Sequence, residues 1–400
     1  MSEPDGYERP YAGLEVVDMS QGLAGPACGS LLAAHGATVI KIEPPEGDWA
    51  RGMGTRHGDH SALEMAVNRG KRSIALDLKS AGGLAVATKL VARCDVFIES
   101  FRPGVTARLG LGYEQVKASN PRILYVSVSG FGQSGPYAAR PSTDTVGQAF
   151  SGIMALNRDD RGQPFRVGFV LVDTVTSLYA FQAVATSLHA RRSQGRHIDV
   201  SLMQSAAAIV APNIIEHHLE GGAPRPLNVT AGSYRTKDGW IAITSVKEAQ
   251  YEAMCRVLGR PDLATEERFA DHQRRADAAE ELLPILREII LTRTTADWKA
   301  RFAAAQVLCN EINDFSDWLA DPHVAATEAA PLRPQAGIGD LPVARIPGLA
   351  STGANLAEAP VTGEHGPALL REIGYSEAEI AALIKDGAVG DPERAAAAAG

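Results

Sequence analysis

Asp173 is the residue of a long apolar stretch whose chemistry is not packing. It stands between Val170, Leu171 and Val172 and a run formed by Val175, Leu178, Phe181, Gln182, Val184, Ala185 and Leu188. The spacing of that run fits a helical period better than strict alternation. It predicts a helix that starts at Asp173, whose side chain then accepts bonds from free backbone N–H groups as an N-cap. The same position has a chemical use. The positive end of a helix can hold a carboxylate ionised in dry surroundings, where it serves as a nucleophile.

A second group of residues is cationic. Lys71 and Arg72 sit in a basic turn, residues 68–73, that feeds a predicted strand; Arg102 and Arg108 flank the Pro103-Gly104 turn after another. Loops beside strand ends are where α/β folds bind phosphates, so Lys71 and Arg72 read as an anion site or as an ordinary solvated charge pair. Gly22, Gly25 and Gly29 do not make the GxGxxG pattern, so a dinucleotide fingerprint is not supported.

The elements that would position these groups alternate. Strands are predicted in residues 14–18, 37–43, 68–78, 95–100, 121–130 and 195–203, with helices over 82–94, 141–150, 204–219 and 369–384. Such alternation argues for a mostly parallel sheet wrapped by helices. Residues 51–60 read as a polar surface loop. Residues 221–226 read as a linker by composition, and 395–400 as a frayed end. Residues 232–244 read as a hairpin with Asp238-Gly239 at its turn, followed by amphipathic helices.

At 400 residues the chain can hold two domains and a large core. Its 39 basic and 47 acidic residues leave a charge of −8, which argues against nucleic acid as a partner. No apolar run approaches the ~20 residues of a membrane span, and residues 1–10 are too acidic for a signal peptide. The four cysteines form no CxxC pair, which reads as reduced thiols in a cytoplasmic protein. The ten histidines show no metal-ligand spacing, and no metal is expected.

Residues 14–43, 68–78, 101–110, 127–136 and 168–196 together resemble the class III CoA-transferase family, which includes formyl-CoA and carnitine CoA-transferases and is related to α-methylacyl-CoA racemase. The resemblance runs in order over nearly the whole chain. It implies an α/β fold with a discontinuous Rossmann-like large domain, residues 1–222 and 331–400, and a smaller α+β domain, residues 223–330. It also implies a homodimer of interlocked chains. Asp173 matches the family's catalytic aspartate, which implies transfer of CoA between an acyl-CoA and a carboxylic acid through aspartyl anhydride and aspartyl-CoA thioester intermediates. Such a route needs donors to each developing oxyanion, for which backbone N–H groups of residues 21–25 and 130–135 are candidates. No permanently bound cofactor is implied, only coenzyme A as substrate. Its contacts carry over to Lys71, Ser100, Phe101 and Arg108, with Arg72 and Arg102 as neighbours.

The chain departs from the family in three places. Pro44 stands where formyl-CoA transferase has an arginine, leaving Arg51 as a substitute. Thr143-Asp144 replaces the His-Asp pair of the racemases, which disfavours racemisation, since that needs an acid and a base on opposite faces of the substrate. An inactive CoA-binding protein is the remaining alternative. Residues 230–234 hold one glycine where formyl-CoA transferase has a run of them. Tyr234, Arg235, Arg140 and Arg166 are then candidates for the acceptor pocket, each with an ordinary packing or surface role beside it.

Overall fold

Val16, Val39, Val96 and Val126 are almost wholly buried, as strands covered on both faces of a parallel sheet must be. The computed structural model describes residues 9–159, 161–190, 194–222, 228–349 and 357–391. Chain contacts divide it into two compact units, Met1–Ala211 with Glu328–Gly400, and Pro212–Thr327. The first boundary falls ahead of the predicted linker, whose residues 223–226 lie outside the described residues, as do 395–400.

The larger unit runs β1 (Glu15–Asp18), α1 (Ala24–Ala34), β2 (Thr38–Glu43), α2 (Ala62–Asn68), β3 (Arg72–Ala75), α3 (Ala81–Val91), β4 (Val96–Glu99), β5 (Leu124–Ser129), α4 (Asp144–Phe150), α5 (Leu171–His189), β6 (Arg196–Ser201) and α6 (Leu202–Ile209). The six strands are parallel and ordered β3-β2-β1-β4-β5-β6. Val17 pairs with Phe97 and Ile98 with Val126. The order reverses between β1 and β4, so the loops after those strands part and leave a crevice at their carboxyl ends.

One face of the sheet is covered by α1, α5 and α6 through Cys28, Leu32, Val172, Ala180 and Ala206. The other is covered by α3 and by helices Gly366–Glu372 and Glu377–Lys385 through Val86, Leu90, Leu369 and Ile380. The α5 stripe differs from the one expected. Val172, Thr176, Ala180 and Val184 are buried, whereas Leu178 and Tyr179 are exposed. Small side chains are needed where α5 packs closely on the Ala-rich and Gly-rich α1.

Three predicted elements are corrected. Residues 204–219 break into α6 and helix Ala211–Leu219, because Pro212 cannot donate back into a continuing helix. Residues 369–384 break after Glu372, where Gly374 takes a positive φ of 89° and Ser376 caps the next helix. Residues 51–60 are at the surface as expected, 52–58 all exposed, but they are not plain loop: they contain part of the 3₁₀ helix Trp49–Gly52 and the hairpin Arg56–His57/His60–Ser61, and Arg51 and His60 at the two ends are buried.

The smaller unit has an antiparallel sheet of β7 (Gly232–Arg235), β8 (Trp240–Thr244) and β9 (Leu308–Glu311), with β8 central. Ile241, Ile243, Tyr251, Leu286, Trp298 and Phe302 form its core. At the β7–β8 turn the Asp238 carboxylate accepts the Thr295 N–H at 2.8 Å, tying the hairpin to the next helix.

Candidate active site

The crevice after β1 and β4 is a cleft of about 260 Å³ whose walls include Gln21, Gly25, Trp49, Phe101, Ser129 and Asp173. Asp173 is the third residue of α5, not its cap. The cap comes from elsewhere. Asp144 Oδ1 accepts the N–H of Val172 at 2.7 Å and of Asp173 at 3.2 Å, while its Oδ2 accepts Gln148 Nε2 at 2.6 Å. Asp144 is the first residue of α4, and its carboxylate caps the neighbouring helix and not its own.

This arrangement reverses the electrostatics expected of Asp173. Burial, with the Asp144 charge beside it, pushes the Asp173 carboxyl up to about 7. Asp144 takes the N–H groups of Val172 and Asp173 at the helix start, and Asp173, already inside the helix, caps nothing. A carboxylate lifted this far is more basic than an ordinary one and still ionised in substantial fraction near neutrality.

The wall opposite is the start of α1. Leu23, Ala24 and Gly25 line the cleft, α1 has no side-chain cap, and among the described residues these three N–H groups have no acceptor. Uncapped N–H groups at a helix start favour an anion or a developing oxyanion. The turn before them is fixed from below: Asp48 accepts the Gly22 N–H at 3.1 Å and Ser100 Oγ accepts that of Gln21 at 2.9 Å. In the other loop named as an oxyanion candidate, Gly130 lines the cleft, but the N–H groups of Gly132 and Gln133 go to Ser129 and Asp199.

Of the residues read as CoA contacts, Ser100 and Phe101 line the cleft. The Phe101 N–H is held at 2.8 Å by Glu99, a carboxyl that burial lifts to about 7. Arg102 and Arg108 are exposed, and their guanidinium groups have no hydrogen-bond or ion-pair partner among the described residues. Lys71 is different. It is buried, and its ammonium donates to Asp18 and Pro26 at 2.7 Å and to Asn68 at 2.9 Å, which uses all its donors. Arg72 lies away from the cleft, beside the starts of β1 and β2, paired with Glu372 at 2.6 Å.

The substitutes named for missing family contacts also have other work. Arg51 is bound by Glu43 at 2.7 Å and Asp59 at 3.1 Å and donates to the Pro360 carbonyl at 3.1 Å. Tyr234 is buried in the smaller unit and donates to the Thr230 carbonyl. Arg140 lies over the rings of Phe131 and Tyr137; Arg166 and Arg235 are exposed. Sequence reasoning missed Trp49, Asp48 and Lys41. The available signal was Lys41 itself, a charge at an inward position of an apolar strand. Among the described residues no cluster could hold a metal ion, and no helix is long and apolar enough to cross a membrane.

A family model described as CoA-transferase family III matches residues 11–366. The chain is 31% identical to the human (Homo sapiens) succinyl-CoA:glutarate CoA-transferase, an alignment covering 96% of this chain and 91% of that protein. It is 34% identical to a succinate–glutarate CoA-transferase of Agrobacterium fabrum, covering 82% of this chain and 86% of that one. A crystal structure of a CAIB/BAIF family protein from Brucella suis superposes with a TM-score of 0.78 at 32% identity, covering 92% of this chain and all of that one.

Two outcomes follow from this geometry. Lys71→Met leaves Asp18 charged and buried without its partner, a loss of about 3–5 kcal/mol, to be read from urea denaturation; an unchanged midpoint would mean Lys71 is no strut. Asp173 has a raised folded-state pKa, so its contribution to stability is full below the ordinary carboxylate range and fades as pH rises through about 7. Asp173→Asn should therefore melt above the parent at about pH 8 and match it near pH 4. Parallel melting curves across that range would contradict the raised pKa.

Proposed function

As a member of the CoA-transferase family III, the chain is a CoA-transferase, and we propose that it works by covalent chemistry on Asp173. The supporting observation is that Asp173 shares its cleft with the start of α1, where the N–H groups of Leu23, Ala24 and Gly25 have no acceptor among the described residues. The Asp173 carboxylate attacks the thioester carbonyl of an acyl-CoA. The C–S bond breaks, CoA leaves as thiolate, and a mixed anhydride remains. The thiolate then attacks the Asp173 acyl carbon, releasing the donor acid and leaving an aspartyl-CoA thioester. An acceptor carboxylate attacks that thioester to form a second anhydride, and the thiolate takes the acceptor acyl group, restoring Asp173. The route divides one difficult exchange into easier steps, and each tetrahedral oxyanion calls for donors fixed in advance.

For CoA itself, Arg102 and Arg108 supply free charge for the phosphates, while Phe101 and Ser100 border the cleft where the arm enters. Lys71 and Arg72, read as contacts from the sequence, serve here to shape the unit. The relatives named for succinyl-CoA and glutarate support a dicarboxylate pair with succinyl-CoA as donor. The free thiols of Cys28, Cys94, Cys255 and Cys309 suit a reducing cytoplasm.

The protein is further proposed to be a homodimer of interlocked chains. Leu178 and Tyr179 on α5 and Val146 and Phe150 on α4 are exposed in the single chain, and a second copy would cover such apolar surface. Light scattering should give twice the chain mass; a single-chain mass at micromolar concentration would refute the dimer.

Covalent chemistry has a direct check. Incubation with succinyl-CoA and hydroxylamine should convert Asp173 to a hydroxamate, seen as a mass change on its peptide. Asp173→Ala should keep CoA binding and lose transfer by orders of magnitude. Transfer surviving in that variant would overturn the assignment.

A further inference from the structure

Trp49 is 54% exposed and lines the cleft that holds Asp173. An aromatic ring left so open usually has room to move, but this one is held at both ends. Its backbone begins the 3₁₀ helix Trp49–Gly52, which Asp48 caps by accepting the Ala50 N–H at 2.9 Å. Its ring rests on Gly22. A Cβ built on that glycine would sit 2.3 Å from Trp49 Cζ2, so the ring lies directly over it, and Gly22 has a φ of 84°, a backbone conformation that favours glycine.

Asp48 joins these two supports. Its carboxylate also accepts the Gly22 N–H at 3.1 Å and the Lys41 ammonium at 2.9 Å, and Lys41 donates in turn to the Ser20 carbonyl. Lys41 and Asp48 are both out of solvent. A dry ion pair of this kind loses several kcal/mol when one partner is removed, so the turn and the indole share one rigid foundation. Charge spent in this way is not offered to a ligand. What reaches the cleft is an aromatic wall, with Leu23, Val128 and Leu202 as further apolar surface.

We propose that Trp49, positioned by the Lys41–Asp48 pair, is the specificity-determining wall of the cleft and restricts the acyl group of the thioester to short, unbranched chains. The inference deepens the transferase reading and rests on it. A branch or ring on the acyl chain meets the indole where it rests on Gly22, above a backbone that Asp48 holds. Apolar pockets discriminate by about 10–200-fold for one misplaced carbon, which sets the effect to look for.

The test compares straight-chain, branched and aromatic acyl-CoA donors against one acceptor, in the parent, Trp49→Ala, Trp49→Phe and Asp48→Asn. Trp49→Ala should raise kcat/KM for bulky donors relative to short ones by about tenfold or more, and Trp49→Phe should keep most of the parent's preference. Asp48→Asn should move the ratio in the same direction as Trp49→Ala, whereas a merely structural role would depress all donors alike. An unchanged ratio in Trp49→Ala, or a parent that takes bulky donors as readily as short ones, overturns the proposal. Calorimetry with non-reactive thioether analogues of the same chains separates it from the transferase reading. If the parent turns nothing over yet rejects the branched analogue that Trp49→Ala admits, the wall stands and the transferase reading falls. Equal binding of both analogues by parent and variant sinks the wall.

Discussion

The start of α5 depends on a carboxylate from another helix. Four N–H groups open any α-helix without a partner, and here Asp144 takes those of Val172 and Asp173. One bond set thereby does two things. It fixes where α5 begins, and so where Asp173 points, and it places a negative charge beside the Asp173 carboxyl. A surface aspartate would be fully ionised and weakly basic near neutrality. Lifted to about 7, Asp173 is more basic than that, at some loss of fold stability when it ionises.

The same device recurs around the cleft. Asp48 holds the Gly22 N–H and Glu99 holds that of Phe101. Each acid lies in the interior and uses its charge on the backbone of a residue that lines or borders the opening. Loops at the ends of parallel strands have few ladder bonds of their own, and a buried carboxylate is a strong, directional acceptor. Rigidity of this kind is what a site needs if its donors must already point where charge will develop.

Cations are used similarly. Lys41 and Lys71 lie side by side on the face of the sheet that α1 covers, paired with Asp48 and Asp18. Asp18 stays ionised because Lys71 and Lys41 outweigh the burial that works against it. A lysine in such a place is a strut, held by the cost of leaving its partner alone in a dry interior. Arg102 and Arg108, a few residues beyond β4, have no such partner among the described residues and remain available to solvent or ligand. In sequence the two kinds of cation look alike.

Period and punctuation in the sequence were enough for the alternation of strands and helices, since buried strands and amphipathic helices impose different spacings on apolar residues. They marked Asp173 as a lone carboxylate beside an apolar run near a helix start, a position that an ordinary N-cap explains at least as well, and only the family resemblance gave it a chemical role. They could not place the break at Pro212 or the small-residue stripe of α5, which depend on what packs opposite. Only the tertiary structure decided the rest: that Asp144 caps a helix 29 residues away, that Lys71 answers to Asp18 53 residues away, and that Trp49 stands on Gly22. A side chain's charge and hydrogen bonds are settled by whichever groups the fold brings within about 3 Å, and distance along the chain does not report that.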